Sequence, residues 1–542
     1  MRQQLKPLAF SLSLLGIMSL PVFAQADNIS SGNMDTISHR ENQLENRLSQ
    51  VQQELRSIKK QLKNNQQQVS YSNNKNTAKQ QQPHLIVNNE AQETKQEEAA
   101  QSTGSSITGP QNLPEIGSQY IGTDVDAPGQ SFVTTGPYIG VPVSYAGNNL
   151  IINSPSINED VSLLKLRKNI RARLRKLGIP VVSDHAHLLL SGIIEGQIAY
   201  KNPGVGPTTS DVDLTSAGLD AYVLGPSSWL SGLMEFAYDN DLGTNSGSFN
   251  NNSRNQNSRV FINKAFVVIG NFEKSPFYGT IGQMYVPFGT YSSSMVSSPL
   301  TKLIARTKDR ALLVGFQQQG DDALYGSAYV FKGDSYTGST RSINNGGVNV
   351  GYSFVSGKYS GNFGGGAIAN LADSQGMQNT GGTPLFNGFG GTNGTGNEQL
   401  AHRVPAMNVR GIFSIGDSWD FIAEYVGAVK SFSRADLTYN THGAEPQALN
   451  VEGAYTFTVF TKPTSLTLDY GKTKDALALG VPLERFGVTL NTSLWKDSLE
   501  SLEFRHDINY AASSVATGSG IMAPSASGKS DNVVTAQIDM YF

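Results

Sequence analysis

Residues 534–542 read VTAQIDMYF: Val534, Ala536, Ile538, Met540 and Phe542 alternate with Thr535, Gln537, Asp539 and Tyr541. A period of two places the first set on one face of a strand and the second on the other. The pattern recurs upstream. Val348, Val350, Tyr352 and Phe354 alternate with Asn349, Gly351 and Ser353, and Phe486, Val488 and Leu490 alternate with Arg485, Gly487 and Thr489. Leu502, Phe504, Ile508 and Tyr510 alternate with Glu503, Arg505, Asp507 and Asn509. Each segment has one apolar and one wet face. In water that suits a sandwich; in a bilayer it suits a barrel with lipid outside and an aqueous lumen.

The connections choose between these. Sixteen strand candidates centre near residues 194, 219, 234, 265, 282, 314, 328, 350, 366, 409, 423, 452, 468, 489, 505 and 538. Short turns at 225–228, 270–275, 318–322, 355–358, 416–418, 459–465 and 495–497 separate longer loops at 201–212, 239–258, 287–309, 332–345, 371–402, 428–446, 471–483 and 511–532. Long and short alternate strictly, as periplasmic turns and extracellular loops do in outer-membrane barrels. A sandwich has no reason to do so. Closure also satisfies the backbone groups that lipid cannot. The expected fold is an all-β transmembrane barrel of about 16 antiparallel strands over 185–542, with an N-terminal α-helical coiled-coil arm. The alternating final strand, ending in Ile538, Met540 and an aromatic Phe542, resembles the sorting signal read by the barrel-assembly machinery.

The arm divides by composition. Arg2 and Lys6 precede a thirteen-residue apolar run at 8–20, followed by small residues up to Ala26, so 1–26 is expected to be a signal peptide. Residues 27–63 carry a heptad, with Met34, Glu41, Leu48, Leu55 and Leu62 on one core position and Ile37, Leu44, Val51 and Ile58 on the other. That reads as a periplasmic coiled coil and allows a homotrimer; the alternative is one amphipathic helix docked on its own chain. Residues 64–135 are a low-complexity linker rich in Gln, Asn, Ser, Thr and Gly. Residues 136–184 form a periplasmic segment with a basic amphipathic helix from about 158 to 177. Leu163, Leu166, Ile170, Leu174 and Leu177 make its stripe, and Lys165, Arg167, Lys168, Arg171, Arg173, Arg175 and Lys176 its other faces. It is either an anion-attracting collar at the barrel mouth, a contact with lipid head groups, or a solvated surface helix. The last is the expectation.

The composition excludes several classes. There is no cysteine, hence no disulfide framework or thiolate chemistry, and a net charge of −3 gives no field for nucleic acid. Inward parity collects Arg410, Arg485, Arg505, Glu424, Glu452, Asp469, Glu503 and Asp507 as lumen charges. They either set a transverse field that selects polar solutes or pair across neighbouring strands. The seven histidines form no catalytic constellation, and His185 with His187 reads as a strand start rather than a metal site. No enzyme activity, cofactor or metal is expected. Loop 371–402, with Phe386 and Phe389 near its centre, either folds inward to narrow the pore, forms an external ligand site, or is mobile outside.

One hairpin is more particular. NKAFVVIGNF at 263–272, followed by FYGTIGQMYVPFG at 277–289, resembles the LbtU and FslE/FupA-like family of outer-membrane siderophore receptors and iron-uptake proteins. The layout of leader, Gln-rich heptad arm, spacer and barrel is similar too. The resemblance implies an outer-membrane protein taking up iron on a polycarboxylate ferric-siderophore ligand; the even strand number puts both barrel ends, and the arm with them, on the periplasmic side. It implies a barrel without the plug domain of the wider energy-coupled receptors. The alternative is a general trimeric porin for small polar solutes. No family ligand residue maps onto this sequence.

Overall fold

The computed structural model describes residues 125–127, 130–134, 158–176 and most of 186–541; the longest omissions in the last range are 240–258, 379–388 and 390–397. The expected leader, coiled coil and most of the linker lie outside these residues, as do His185, Phe386 and Phe542.

Sixteen antiparallel strands close on themselves. They are β1 His187–Asn202, β2 Thr209–Leu224, β3 Leu230–Asp239, β4 Arg259–Gly270, β5 Phe277–Tyr285, β6 Lys308–Gln317, β7 Ala323–Phe331 and β8 Asn345–Ser356. Then follow β9 Tyr359–Ile368, β10 Ala406–Ile415, β11 Trp419–Ala428, β12 Gln447–Val459, β13 Lys462–Lys474, β14 Glu484–Thr492, β15 Ser498–Ile508 and β16 Ser530–Tyr541. Each pairs with its sequence neighbours, and β16 pairs with β1 from Asn532↔Asn202 to Tyr541↔Ile193. Every expected strand centre falls inside one of them. The first long connection is shorter than expected, because β1 and β2 run on to leave only 203–208 between them.

Parity assigns the faces. Val350 is 59% exposed and Leu468 60%, whereas their inward neighbours Asn349 and Thr467 are buried. An apolar outside that no protein covers requires lipid, so the sheet spans a membrane in the manner of outer-membrane barrels. Aromatic rings gather beside the short turns, where an interfacial girdle belongs. Trp419 lies 4.6 Å from Tyr455, and Tyr359 stacks on Phe413 at 6.0 Å, centroid to centroid.

At the opposite rim the long loops pack on one another. Phe389 stacks on Phe432 at 5.5 Å, and short strands Leu437–Tyr439, His442–Gly443, Ala516–Gly518 and Ile521–Met522 form a second small sheet. Glu398 accepts from the Phe389 amide at 2.8 Å, and burial pushes its carboxyl up to about 7. The short strands Val125–Ala127 and Gln130–Thr134 form a hairpin, and the second pairs in parallel with the start of β1.

Candidate functional site

Residues 286–307 join β5 to β6, and the chain turns inward as it leaves Tyr285. Gly289 makes the turn at φ +91°; a Cβ there would lie 2.5 Å from the Tyr291 ring, and the Tyr291 hydroxyl donates to the Phe288 carbonyl. A left-handed backbone packed that closely admits little besides glycine. The loop then crosses the lumen to the far wall. Its short helix, Leu300–Ala305, packs against β11, β12 and β13.

Three glutamates on that wall hold it. Glu424 on β11 accepts from the Thr290 and Tyr291 amides at 2.8 and 2.7 Å. Glu452 on β12 accepts from the Ser294 amide at 2.8 Å, and Glu503 on β15 from the Ser297 amide at 3.0 Å. A carboxylate accepting backbone N–H groups makes a charge-assisted bond, stronger than a neutral one. Asn491 and Arg485 donate to the Ser294 and Ser298 carbonyls at 2.8 and 2.9 Å. Two glycines on the wall make room: a Cβ at Gly487 would meet Met295 at 2.3 Å, and one at Gly471 would meet Leu300 at 2.8 Å. The start of the 369–405 loop closes over the crossing from above, where the Gln375 amide donates to Arg306 and the Ser374 hydroxyl to Ile304.

The expected lumen charges all point inward, but toward protein. Glu424, Glu452 and Glu503 bind the crossing loop instead of facing an open channel. Arg485 pairs with Asp507 across strands, with Nε to Oδ1 at 2.7 Å, and Arg505 Nε lies 3.1 Å from the same carboxylate. Arg410 donates to Asn408 and Asn349, and Asp469 is buried on β13. An open lumen with a transverse field therefore gives way to a loop anchorage on this wall. Among the described residues the segment that crosses the lumen is 286–307, while most of loop 371–402 lies outside them. A sign of this is present in the sequence: the segment carries Met295, Leu300, Leu303 and Ile304, an apolar content without purpose in a solvated loop.

Replacing Arg485 by Leu strands Asp507 and one loop carbonyl. The expected cost is about 2–3 kcal/mol, less than for an isolated buried pair because Arg505 stays beside Asp507. Urea unfolding in lipid vesicles measures it, and an unchanged midpoint would show that the pair contributes nothing.

A second element enters from the side of the short turns. Helix α1, Glu159–Lys176, has Leu163 and Leu164 buried against the inner faces of β2–β5. The expectation of a solvated surface helix is thus corrected: the lumen face of these strands is itself apolar near that rim, with Tyr222, Leu233, Phe266 and Val268, and something must cover it. Arg167 donates to the carbonyls of Ser227 at 2.9 Å and Gly270 at 3.3 Å, which places it at two short turns. Glu159, about 12 Å deeper along the axis, pairs with Lys264, which also pairs with Glu235. Asp160 accepts from the Thr280 hydroxyl at 2.7 Å. Asn158, Glu159 and Asp160 share a small cavity with Met284, Tyr285 and Pro287, so α1 ends where the crossing loop begins. The 263–289 hairpin is therefore the seat of α1 and the entry to the loop.

Titration differs among the inserted groups. Burial, with Arg306 beside it, pushes Lys302 on the loop helix down to about 7 against the opposing pull of Glu195. Burial also raises Glu159, to about 8, partly offset by Lys264.

No family model matches the chain. Two curated relatives are UPF0422 proteins: one from Coxiella burnetii (strain RSA 493 / Nine Mile phase I), 40% identical over 71% of this chain and 78% of its own length, and one from Legionella pneumophila (strain Lens), 39% identical over 71% and 72%. Similar solved structures include the outer membrane channel DcaP of Acinetobacter baumannii, at 15% identity and TM-score 0.41 over 66% of this chain and 97% of that one. The anion-selective porin from Comamonas acidovorans aligns at 12% identity and TM-score 0.41, over 66% and 100%.

Proposed function

This chain belongs to the UPF0422 protein family, and we propose that it is a solute channel of the outer membrane whose bore is set by a loop folded into the barrel. The observation that carries this reading is the crossing of 286–307 from β5 to β11–β15, pinned by Glu424, Glu452 and Glu503. A barrel of sixteen strands is wide enough to leave an aqueous lumen. A segment anchored across it divides that lumen into narrower paths lined by polar side chains, which admit small hydrated solutes and hold back large ones. Liposome swelling with a graded series of sugars tests it. Monosaccharides are expected to enter and oligosaccharides to be excluded; no flux of any sugar would sink the proposal.

Uptake of a polycarboxylate ferric-siderophore is a second reading, supported by the resemblance of the 263–289 hairpin. Its residues serve the packing of α1 and the loop, which gives the hairpin a structural purpose that needs no ligand. Radiolabelled ferric chelate supplied to a deletion strain separates the two. Normal iron entry in that strain would remove the siderophore reading and leave the channel.

A further inference from the structure

Helix α1 sits in the barrel like a stopper, and its seat combines features that pull in opposite directions. The inner wall beneath it is apolar, with Tyr222, Leu233, Phe266 and Val268 covered by Leu163 and Leu164. Water would wet this wall if the helix left, so docking is favoured by burial. The polar part of the seat opposes it. Lys264 pairs with two carboxylates, Glu159 and Glu235, and all three groups are buried. Keeping these ionisable groups out of water costs free energy that the apolar contact must offset. A permanent structural element would gain from a neutral seat. Opposed contributions of this kind belong to an element with two states, docked and released.

The positions of its contacts say what the two states do. Arg167 is tied to the short-turn rim and Glu159 reaches the base of the crossing loop, so the docked helix fills the lumen below that loop on the β2–β5 side. We propose that α1 is an autoinhibitory plug, and that the channel opens when the helix leaves its seat on β2–β5. This rests on the channel reading given above.

The absence of cysteine from the chain allows a clean test. Asp160 and Thr280 touch through their side chains at 2.7 Å, so Asp160→Cys with Thr280→Cys in the full-length protein offers a disulfide that locks the helix in place. In planar bilayers the oxidised protein is expected to stay in its low-conductance state, and reduction is expected to restore transitions to a level at least severalfold higher. Leu163→Glu, which puts a charge into the apolar seat, is expected to hold the higher level without any thiol. Heat-modifiable migration in gels checks that this variant keeps a folded barrel. A fully formed disulfide that leaves the conductance pattern unchanged would overturn the plug alone. So would a folded Leu163→Glu barrel with wild-type conductance. Silence in every state, locked and released, would overturn the channel reading and the plug with it.

Discussion

Excising residues 290–305 and closing the gap with a short Gly-Ser link is expected to raise the conductance of the open, helix-released level at least roughly threefold, because the lumen of a sixteen-stranded barrel is then no longer divided by the loop. The segment reaches from β5 to the opposite wall, and its helix rests on β11–β13. Nothing in the barrel's own closure depends on it, since the strands pair edge to edge without the loop. The excision leaves Glu424, Glu452 and Glu503 on a wetted wall, where their carboxylates face passing ions instead of the loop's amides. Cation preference should therefore rise together with conductance, and the ratio of potassium to chloride permeability reports it. Replacing the three glutamates by Gln in the intact chain is expected to give a smaller, noisier increase, as the loop loses charge-assisted anchors but keeps its apolar contacts. Conductance unaltered by the excision would mean that ions do not pass the plane of the loop.

Leu468→Arg is expected to destabilise the barrel by about 2–4 kcal/mol in lipid vesicles, the cost of an arginine facing the bilayer midplane. Leu468 stands midway along β13, 60% exposed on the outer face, with Leu466 beside it on the same face. If water covered that face, an added charge would be neutral or would improve solubility. Phe460→Arg provides the control. Phe460 is 93% exposed in the two-residue turn between β12 and β13, where the cost of a charge falls toward zero. Urea titration of vesicle-inserted protein measures both variants. Equal stability for the two would remove lipid from the account of the outer face, and the transmembrane assignment with it.

Much of this architecture was legible before any coordinates. The alternation in VTAQIDMYF, and in the segments about Val350, Leu490 and Phe504, reports which side chains meet lipid. The alternation of short and long connections reports which rim each belongs to. Helix α1 was legible as a helix, from its leucine stripe, but its surroundings were not. The clue lay in β2–β5, where Tyr222, Leu233, Phe266 and Val268 put apolar groups on lumen parity. A strand apolar on both faces has something packed on each, and that departure from strict alternation marked the seat. The glutamates were legible as lumen-facing, although their partners were not.

A two-residue period is a local property, imposed at each strand by the medium on either side, so the amino-acid sequence alone determined the strand count, their order and the facing of each side chain. Tertiary structure alone decided that 286–307 enters the lumen, that Glu424, Glu452 and Glu503 hold it, and that α1 docks on β2–β5. Those contacts join residues more than 100 positions apart. The loop's donors are backbone N–H groups, which every residue but proline carries alike. No pattern of side chains can announce which of them a distant carboxylate will meet.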